Sequence, residues 1–142
     1  MSSLLNGEWI GYYSYGEMYP ANLQAMKCGF EMKLNTNGDN LEGTCSDDDM
    51  KGKLDTPANI KGTINADQLS FTKQYPFAFS IDQNGTVHKA PNQTPPFIEY
   101  DGKFDPATSN CNGTWKITMM ETTGRNEMVE RVYSGPWSMK KK

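Results

Sequence analysis

A five-residue unit recurs along this chain: an apolar residue, a polar residue, glycine, a polar residue, and then an apolar or aromatic residue. The first copy is Leu5–Trp9 (LNGEW), within the stretch Leu5–Tyr15. In a β-strand, alternate side chains point to opposite faces, so each unit places its large apolar groups and its glycine on one face. A glycine there also lets a strand bend sharply, which closing a sheet into a barrel requires. The later copies are centred on Gly43, Gly62, Gly102, Gly113 and Gly135.

Short segments with strand periodicity follow one another, with turn residues between them. Cys28–Asn35 has the clearest alternation of apolar and polar residues, and Asn37-Gly38-Asp39 then favours a hairpin turn. No stretch has a convincing helical period, and Asn22–Met26 predicts one helical turn at most. The predicted strands are Gly7–Tyr15, Cys28–Asn35, Leu41–Cys45, Ile60–Ile64, Leu69–Tyr75, Phe77–Ile81, Thr86–Lys89, Ile98–Phe104, Cys111–Met119 and Met128–Met139.

These strands predict an all-β fold, a single domain over residues 1–142 built as an antiparallel up-and-down β-barrel of about eight strands. A flat sheet of this size would leave its apolar face uncovered, because the chain offers no amphipathic helix. Closure covers that face and removes the sheet edges as well. A two-sheet sandwich is the main alternative, but it usually needs longer crossovers than most of these turns allow.

Charge and hydropathy narrow the expected partners. The formal net charge is -3 and the basic residues are scattered, so we expect no nucleic-acid partner. No run approaches the roughly 18 apolar residues of a membrane helix, so we expect no membrane partner. No signal peptide is visible, which predicts a cytoplasmic protein or the mature form of an exported one. Residues 140–142, all lysine, are expected to form a disordered basic tail.

The cysteines and the acidic run predict no metal site and no cofactor. Cys28, Cys45 and Cys111 leave one thiol unpaired whatever the bonding, and their positions on the apolar faces predict free core residues. No Cys-x-x-Cys spacing is present for zinc. Asp47-Asp48-Asp49 begins a segment, up to Gly52, that reads as an exposed acidic loop, because it lacks the alternating ligand spacing of a calcium loop.

The predicted inward face is unusually polar for a dry core, and its large side chains are the candidate ligand-binding residues. Two interpretations stay open. In the first, the aromatic rings fill the barrel, while Lys73 and Arg131 extend from its rims into water. In the second, the lumen holds a cavity in which Lys73 and Arg131 favour an anionic or carbonyl-bearing ligand. The candidates are Tyr13, Tyr15, Phe30, Phe71, Lys73, Tyr75, Tyr100, Trp115 and Arg131.

Candidates for catalysis are few. The single histidine, His88, follows a turn signal, and neither Ser14 nor Ser80 has a base at a recognised spacing. The strand glutamates are predicted to face outward, away from the lumen. We therefore expect no enzyme. Outward apolar residues such as Ile10 and Tyr12 instead suggest a third role, in which an exposed patch pairs subunits.

Gly7-x-Trp9 on the first strand of a predicted barrel resembles the signature of the calycins, which comprise lipocalins, fatty-acid-binding proteins and avidins. The first 45 residues are most similar to avidin and streptavidin, in Leu5–Trp9, then Leu34–Gly38, then Leu41–Cys45. The resemblance implies a calycin barrel, and association through its outer face into a dimer or a tetramer. It also implies that Arg131, on the last strand, packs over Trp9.

Two departures from the avidin pattern bear on the ligand. Cys45 stands where avidins place a biotin-contacting tyrosine, and the avidin pocket tryptophans have no counterpart between residues 46 and 110. We therefore expect no biotin binding. The sequence predicts non-enzymatic binding of a small, partly apolar ligand in the lumen of the barrel. The alternative is a filled barrel that serves as a structural or oligomerising module.

Overall fold

A computed structural model describes residues 2–19, 21–24, 26–48, 57–81, 87–90 and 92–142. Its helices are a 3-10 turn, Ser2–Leu5, and the single-turn α1 (Ala21–Gln24). Its strands are β1 (Gly7–Ser14), β2 (Lys27–Asn37), β3 (Asn40–Asp47), β4 (Ala58–Asn65), β5 (Gln68–Gln74), β6 (Phe79–Ile81), β7 (Val87–Lys89), β8 (Ile98–Asp105), β9 (Asn110–Thr122) and β10 (Met128–Lys141). No helix among these residues is both long enough and apolar enough to span a bilayer.

Eight of the strands close into one antiparallel barrel, in the order β1-β10-β9-β8-β5-β4-β3-β2. Strands that follow one another in the chain pair with each other, and β1 pairs with β10 to close the barrel. The exceptions are β6 and β7, which lie between β5 and β8 in the chain and form a separate two-stranded sheet, so that β5 pairs directly with β8. The predicted all-β class and the up-and-down barrel are confirmed. Within the described residues helical structure is limited to short turns, and the turn expected near Asn22–Met26 is α1.

The alternation read from the sequence sets the interior of the barrel. Along β2, Cys28, Phe30, Met32 and Leu34 are buried, whereas Glu31 and Lys33 between them are exposed. The inward glycines leave space for large neighbours, as expected. A Cβ atom on Gly102 would lie 2.5 Å from the ring atom Cζ2 of Trp137, so this indole occupies the space that the glycine leaves.

The two ends of the barrel differ in their connections. At one end lie the short turns 38–39, 66–67 and 106–109, together with the 3-10 turn, and we call this the closed end. At the other end lie the longer connections 15–26, 48–57 and 75–97 and the turn 123–127, and we call this the open end. Part of the segment predicted as an acidic loop, Asp49–Gly52, and the turn predicted at Asn84-Gly85 lie outside the described residues.

The closed end is sealed by apolar packing and by hydrogen bonds between turns. The Trp9 indole Nε1–H donates to the Leu5 carbonyl at 2.9 Å, and both residues are fully buried. Phe104 meets Trp9 edge to face, with 6.0 Å between ring centroids. The Phe104 amide also donates to the carbonyl of Asp67, in the neighbouring turn, at 2.8 Å. The 3-10 turn, β1 and β8 are thereby held together.

The last strand corrects two expectations. Residues 140–142 are not a disordered tail: Lys140 and Lys141 pair with β1, and the Lys142 amide donates to the Glu8 carbonyl. Arg131 does not pack over Trp9, because Lys141 is the residue of β10 opposite Trp9, ten positions further along. Arg131 lies opposite Met119, where β9 and β10 extend past the end of β8 pairing at Ile117. We call this two-stranded extension, residues 118–132, the ribbon.

A candidate binding site at the open end of the barrel

A buried ion pair lies inside the barrel towards its open end. Lys73, in β5, donates from Nζ to the carboxylate oxygen Oδ1 of Asp47, the last residue of β3, at 2.6 Å. The hydroxyl of Tyr75 donates to the other carboxylate oxygen, Oδ2. The Cys45 thiol lies 3.9 Å from Oδ1 and donates to it weakly. Lys73 of β5 and Tyr75, just after β5, therefore hold the two oxygens of the carboxylate, which fixes its orientation.

Asp47 was predicted to begin an exposed acidic loop, and this prediction is wrong. Inward positions of β3 recur at Leu41, Gly43 and Cys45, and the strand continues for two more residues than its apolar pattern indicated. Asp47 consequently points into the barrel and is buried, whereas Asp48 is exposed. The inward parity of β3 could have revealed that Asp47 is buried. A buried carboxylate without a partner is energetically costly, however, and the sequence does not identify a partner.

The surroundings of Lys73 determine its charge. Burial by itself lowers the pKa of the ammonium, while the acidic groups around it, Tyr100, Cys45, Tyr75 and Asp47, raise that pKa above its ordinary value. Burial also raises the pKa of Tyr100 and that of Cys45, each to about 12, so both are neutral at pH 7. The ammonium lies 5.4 Å from the ring centroid of Tyr13 and 5.1 Å from that of Tyr75, distances typical of cation–π contact.

Aromatic rings gather above this ion pair. Tyr15 and Tyr19 meet edge to face with 4.7 Å between centroids, and Tyr19 lies 5.2 Å from Tyr133. The Trp115 indole donates from Nε1 to the Ser14 carbonyl at 2.9 Å, which fixes its ring beside Tyr13 and Tyr15. We call the set the aromatic mouth, and it comprises Tyr13, Tyr15, Tyr19, Tyr75, Trp115 and Tyr133. Trp115 is buried and the five tyrosines are half-buried.

The nine candidate residues fall into three groups in the structure. Phe30, Phe71, Lys73 and Tyr100 are 1–2% exposed, so water does not reach them and side chains fill the lumen at their level. Four others, Tyr13, Tyr15, Tyr75 and Trp115, belong to the aromatic mouth. Arg131 is exposed on the ribbon, away from the lumen. The structure thus brings eight of the candidates together in and above one lumen and places the ninth elsewhere.

Three residues of this region, Asp47, Tyr19 and Tyr133, were not among the candidates. Tyr133 shares the inward parity of Trp137 on the last strand. The sequence did carry a signal for Asp47, because its position continues the inward alternation of β3. Tyr19 had none, because it lies in the connection between β1 and β2, where no strand period indicates which way a side chain points. Tyr19 nevertheless contacts Tyr15, Trp115 and Tyr133.

The polar groups of this region satisfy one another. Every buried side-chain nitrogen or oxygen in the described ranges has a hydrogen-bond partner. The same ranges contain no group of three or more His, Cys, Asp or Glu residues that could hold a metal ion. Comparisons of the chain with protein-family models, with curated proteins and with solved structures gave no match. The interpretation of the site therefore depends on its geometry.

Proposed function

We propose that this protein is a non-enzymatic binder of a small, partly apolar ligand, which rests on the aromatic mouth rather than deeper in the barrel. The observation that carries the proposal is the gathering of six aromatic side chains at the end of the barrel with the long connections. Five of the six are half-buried tyrosines, which offer both ring surface and hydroxyl groups. Apolar walls with a few polar groups are typical of small-molecule sites.

The rim around the mouth supports an apolar component in the ligand. Exposed methionines are concentrated at this end, in the β1–β2 connection and on the ribbon, and Phe97 is exposed just before β8. Methionine side chains are flexible and polarisable, so they adapt to ligands of irregular shape. The exposed apolar residues of this rim are Met18, Met26, Phe97, Met119, Met120, Met128 and Val132. At the closed end, Leu4 is the large exposed apolar side chain in the described part of the chain.

The state of the titratable groups favours binding over catalysis. The buried ion pair of Asp47 with Lys73 occupies the groups that an acid or a base would use. His88 lies in β7, outside the barrel, and is exposed. A reaction at the mouth would therefore have to break a buried ion pair first.

Kinship with the calycins, and with avidins in the opening strands, is part of the same proposal. The closed eight-stranded meander is compatible with a calycin fold. Its Gly7-x-Trp9 motif lies on β1 with the indole sealed beneath the 3-10 turn, as expected for the first-strand tryptophan of a closed barrel end. Calycins commonly use the lumen for ligands, and here the filled lumen moves the proposed site outward.

The three tryptophans provide a test, because they mark three regions: Trp9 the closed end, Trp137 the middle and Trp115 the mouth. Native mass spectrometry of freshly purified protein would first report any retained molecule. A fragment library would then be screened by the indole N–H signals of ¹⁵N-labelled protein. We expect ligands to shift the Trp115 signal and leave that of Trp9 in place.

A matched pair of variants checks the location of binding. Tyr15→Ala, at the mouth, should abolish the Trp115 shift, whereas Tyr12→Ala, on the outward face of β1, should retain it. If fragments shift Trp9 or Trp137 instead, or no fragment shifts any of the three signals, binding at the mouth is wrong.

A filled barrel that acts as an oligomerising module is the second candidate, and the packed lumen favours it. On the outer surface, Ile10 and Tyr12 line a shallow groove of about 410 Å³ between β1 and β10. This candidate predicts a dimer or a tetramer in light scattering, which Tyr12→Asp converts to a monomer. A monomeric wild-type protein would eliminate it.

A further inference from the structure

We infer that Asp47 is a specificity-determining residue that makes the aromatic mouth selective for uncharged ligands. The inference rests on the proposed function, and it narrows the expectation drawn from the sequence. Lys73 and Arg131 together favoured an anionic or carbonyl-bearing ligand when both were predicted to face a cavity. In the structure, Arg131 is on the ribbon and Lys73 has an acidic partner.

Lys73 is close enough to the mouth for its charge to matter. Its ammonium lies 5.4 Å and 5.1 Å from the ring centroids of Tyr13 and Tyr75. A ligand stacked on the far side of either ring, at a contact distance of about 3.5 Å, would lie roughly 9 Å from that charge. An uncompensated charge at this distance, in a partly buried site, would change the affinity for an anion by about tenfold or more.

Asp47 cancels that charge at close range. Its carboxylate oxygen Oδ1 lies 2.6 Å from the ammonium, and both side chains are buried. Because Tyr75 holds the second oxygen, the carboxylate is fixed and the pair acts as a short, oriented dipole. The field of such a dipole falls off faster with distance than that of a single charge. The floor of the mouth therefore presents rings and hydroxyl groups with no net charge.

The tyrosines do not restore a charge at neutral pH. Burial is the main reason that the pKa values of Tyr13 and Tyr75 are raised above their ordinary value. Their phenol groups stay protonated and serve as neutral hydrogen-bonding groups. The chemical class that fits is a neutral amphiphile with an apolar body and a hydroxyl or carbonyl group.

Two fluorescent dyes that differ only in a sulfonate group provide the probe. Phenylnaphthylamine is neutral, and anilinonaphthalene sulfonate carries one negative charge on the same ring skeleton. Dye titration of the wild-type protein, with the Trp115 indole signal as the marker of location, should give at least about tenfold tighter binding of the neutral dye, because an uncharged mouth does not compensate the sulfonate for its lost hydration. Asp47→Asn removes the compensating charge and should tighten binding of the sulfonate dye about tenfold, with the neutral dye changed less than about twofold.

Two controls separate the local charge from other effects. Asp48→Asn removes one negative charge from the neighbouring exposed residue and should leave the preference unchanged. The double variant Asp47→Leu/Lys73→Met removes both charges with little change in volume. It should keep the preference for the neutral dye, and it provides a test if Asp47→Asn alone fails to fold.

The outcomes distinguish this inference from the proposed function. If neither dye moves the Trp115 signal, binding at the mouth is wrong and this inference falls with it. If both dyes bind there with equal affinity, or Asp47→Asn behaves like Asp48→Asn, the mouth binds ligands but Asp47 does not select their charge.

Discussion

The two ends of this barrel cover its interior in different ways. At the closed end, turns of two to four residues leave little to cover, and apolar packing of Leu5, Trp9 and Phe104 seals the interior. At the open end, where the connections are longer, the interior ends in a buried ion pair beneath half-buried rings. Functional residues concentrate on loops that a rigid scaffold positions. We therefore expect stability to depend mainly on the closed end, and the proposed binding site lies at the open end.

Tryptophan shows the difference most directly. Trp9 and Trp115 each donate the indole N–H to a backbone carbonyl at 2.9 Å, so the local hydrogen bond is the same. Trp9 is 0% exposed and covered by the 3-10 turn, whereas Trp115 is 5% exposed and is covered by tyrosines that are themselves half-exposed. Truncation of Trp9 should therefore lower the free energy of unfolding more than truncation of Trp115, although their hydrogen bonds have the same length.

The largest effect is expected from Trp9→Ala. Truncating a fully buried indole loses its transfer free energy and leaves a cavity, so the free energy of unfolding should fall by about 4–5 kcal/mol. Trp115→Ala should cost at least about 1 kcal/mol less, because water can reach part of the space that it leaves. Guanidinium denaturation followed by circular dichroism measures both. Equal losses would contradict the assignment of stability to the closed end.

The next largest effect concerns the ion pair at the open end. Lys73→Met leaves the Asp47 carboxylate buried without its partner, and the expected loss is about 3 kcal/mol. The double variant Asp47→Leu/Lys73→Met should recover to within about 1 kcal/mol of wild type, since packed apolar groups often replace a buried ion pair without loss. Urea denaturation of the two variants provides the measurement. A double variant as unstable as the single one would show that the ion pair contributes net stability, beyond offsetting the cost of burying its two charges.

A smaller effect is expected from pH. Burial raises the pKa of the Cys45 thiol from 9.0 to about 12. In the unfolded chain this thiol ionises above pH 9, while in the folded protein it stays neutral, so the unfolded state gains stability as pH rises from 9 to 12. The free energy of unfolding should fall by about 1 kcal/mol at pH 10 from this group, and Cys45→Val should remove that share.

Cys111 extends the pH comparison to the closed half of the barrel. Burial raises the pKa of its thiol to about 12 as well, so Cys111→Val should remove a similar share of the alkaline loss. Denaturation at pH 8 and pH 10 compares the variants. A wild-type protein with equal stability at the two pH values would rule out the neutral buried thiols.

The smallest effect on stability is expected from Tyr19→Ala. Tyr19 contacts the rings of Tyr15, Trp115 and Tyr133 from a connection rather than a strand, and aromatic pairs contribute about 0.5–1.5 kcal/mol each beyond their buried area. Because Tyr19 is half-exposed, we expect a loss below about 1 kcal/mol, together with at least a fivefold weaker affinity of the neutral dye. Unfolding and dye titration on one sample give both values. A large loss of stability with unchanged dye affinity would show that Tyr19 stabilises the fold and does not contribute to binding.

The periodicity of the chain predicted most of the barrel. Along β2, the alternation from Cys28 to Leu34 indicates its inward face without further information, and the glycine units do the same on other strands. The strand ends were less predictable: β3 runs on to Asp47 and β10 to Lys141, because pairing with a neighbouring strand continues where the apolar pattern has stopped.

The site could be predicted only in part. Parity placed Lys73, Tyr13 and Tyr75 on the inward face, but it gives no height along the barrel axis and identifies no partner. It also placed Arg131 with them, although β10 has not yet joined the barrel at that position. Tyr19 lies in a connection where no periodicity operates.

The sequence by itself determined which side chains face inward, because a strand alternates its faces whatever surrounds it. Only the tertiary structure decided which inward groups meet. Asp47 and Lys73 are 26 residues apart and lie on strands separated by β4, so closure and the register of the strands bring them together. Burying either charge alone would cost a large amount of free energy, and the contact between the two offsets that cost. No local sequence pattern encodes this contact.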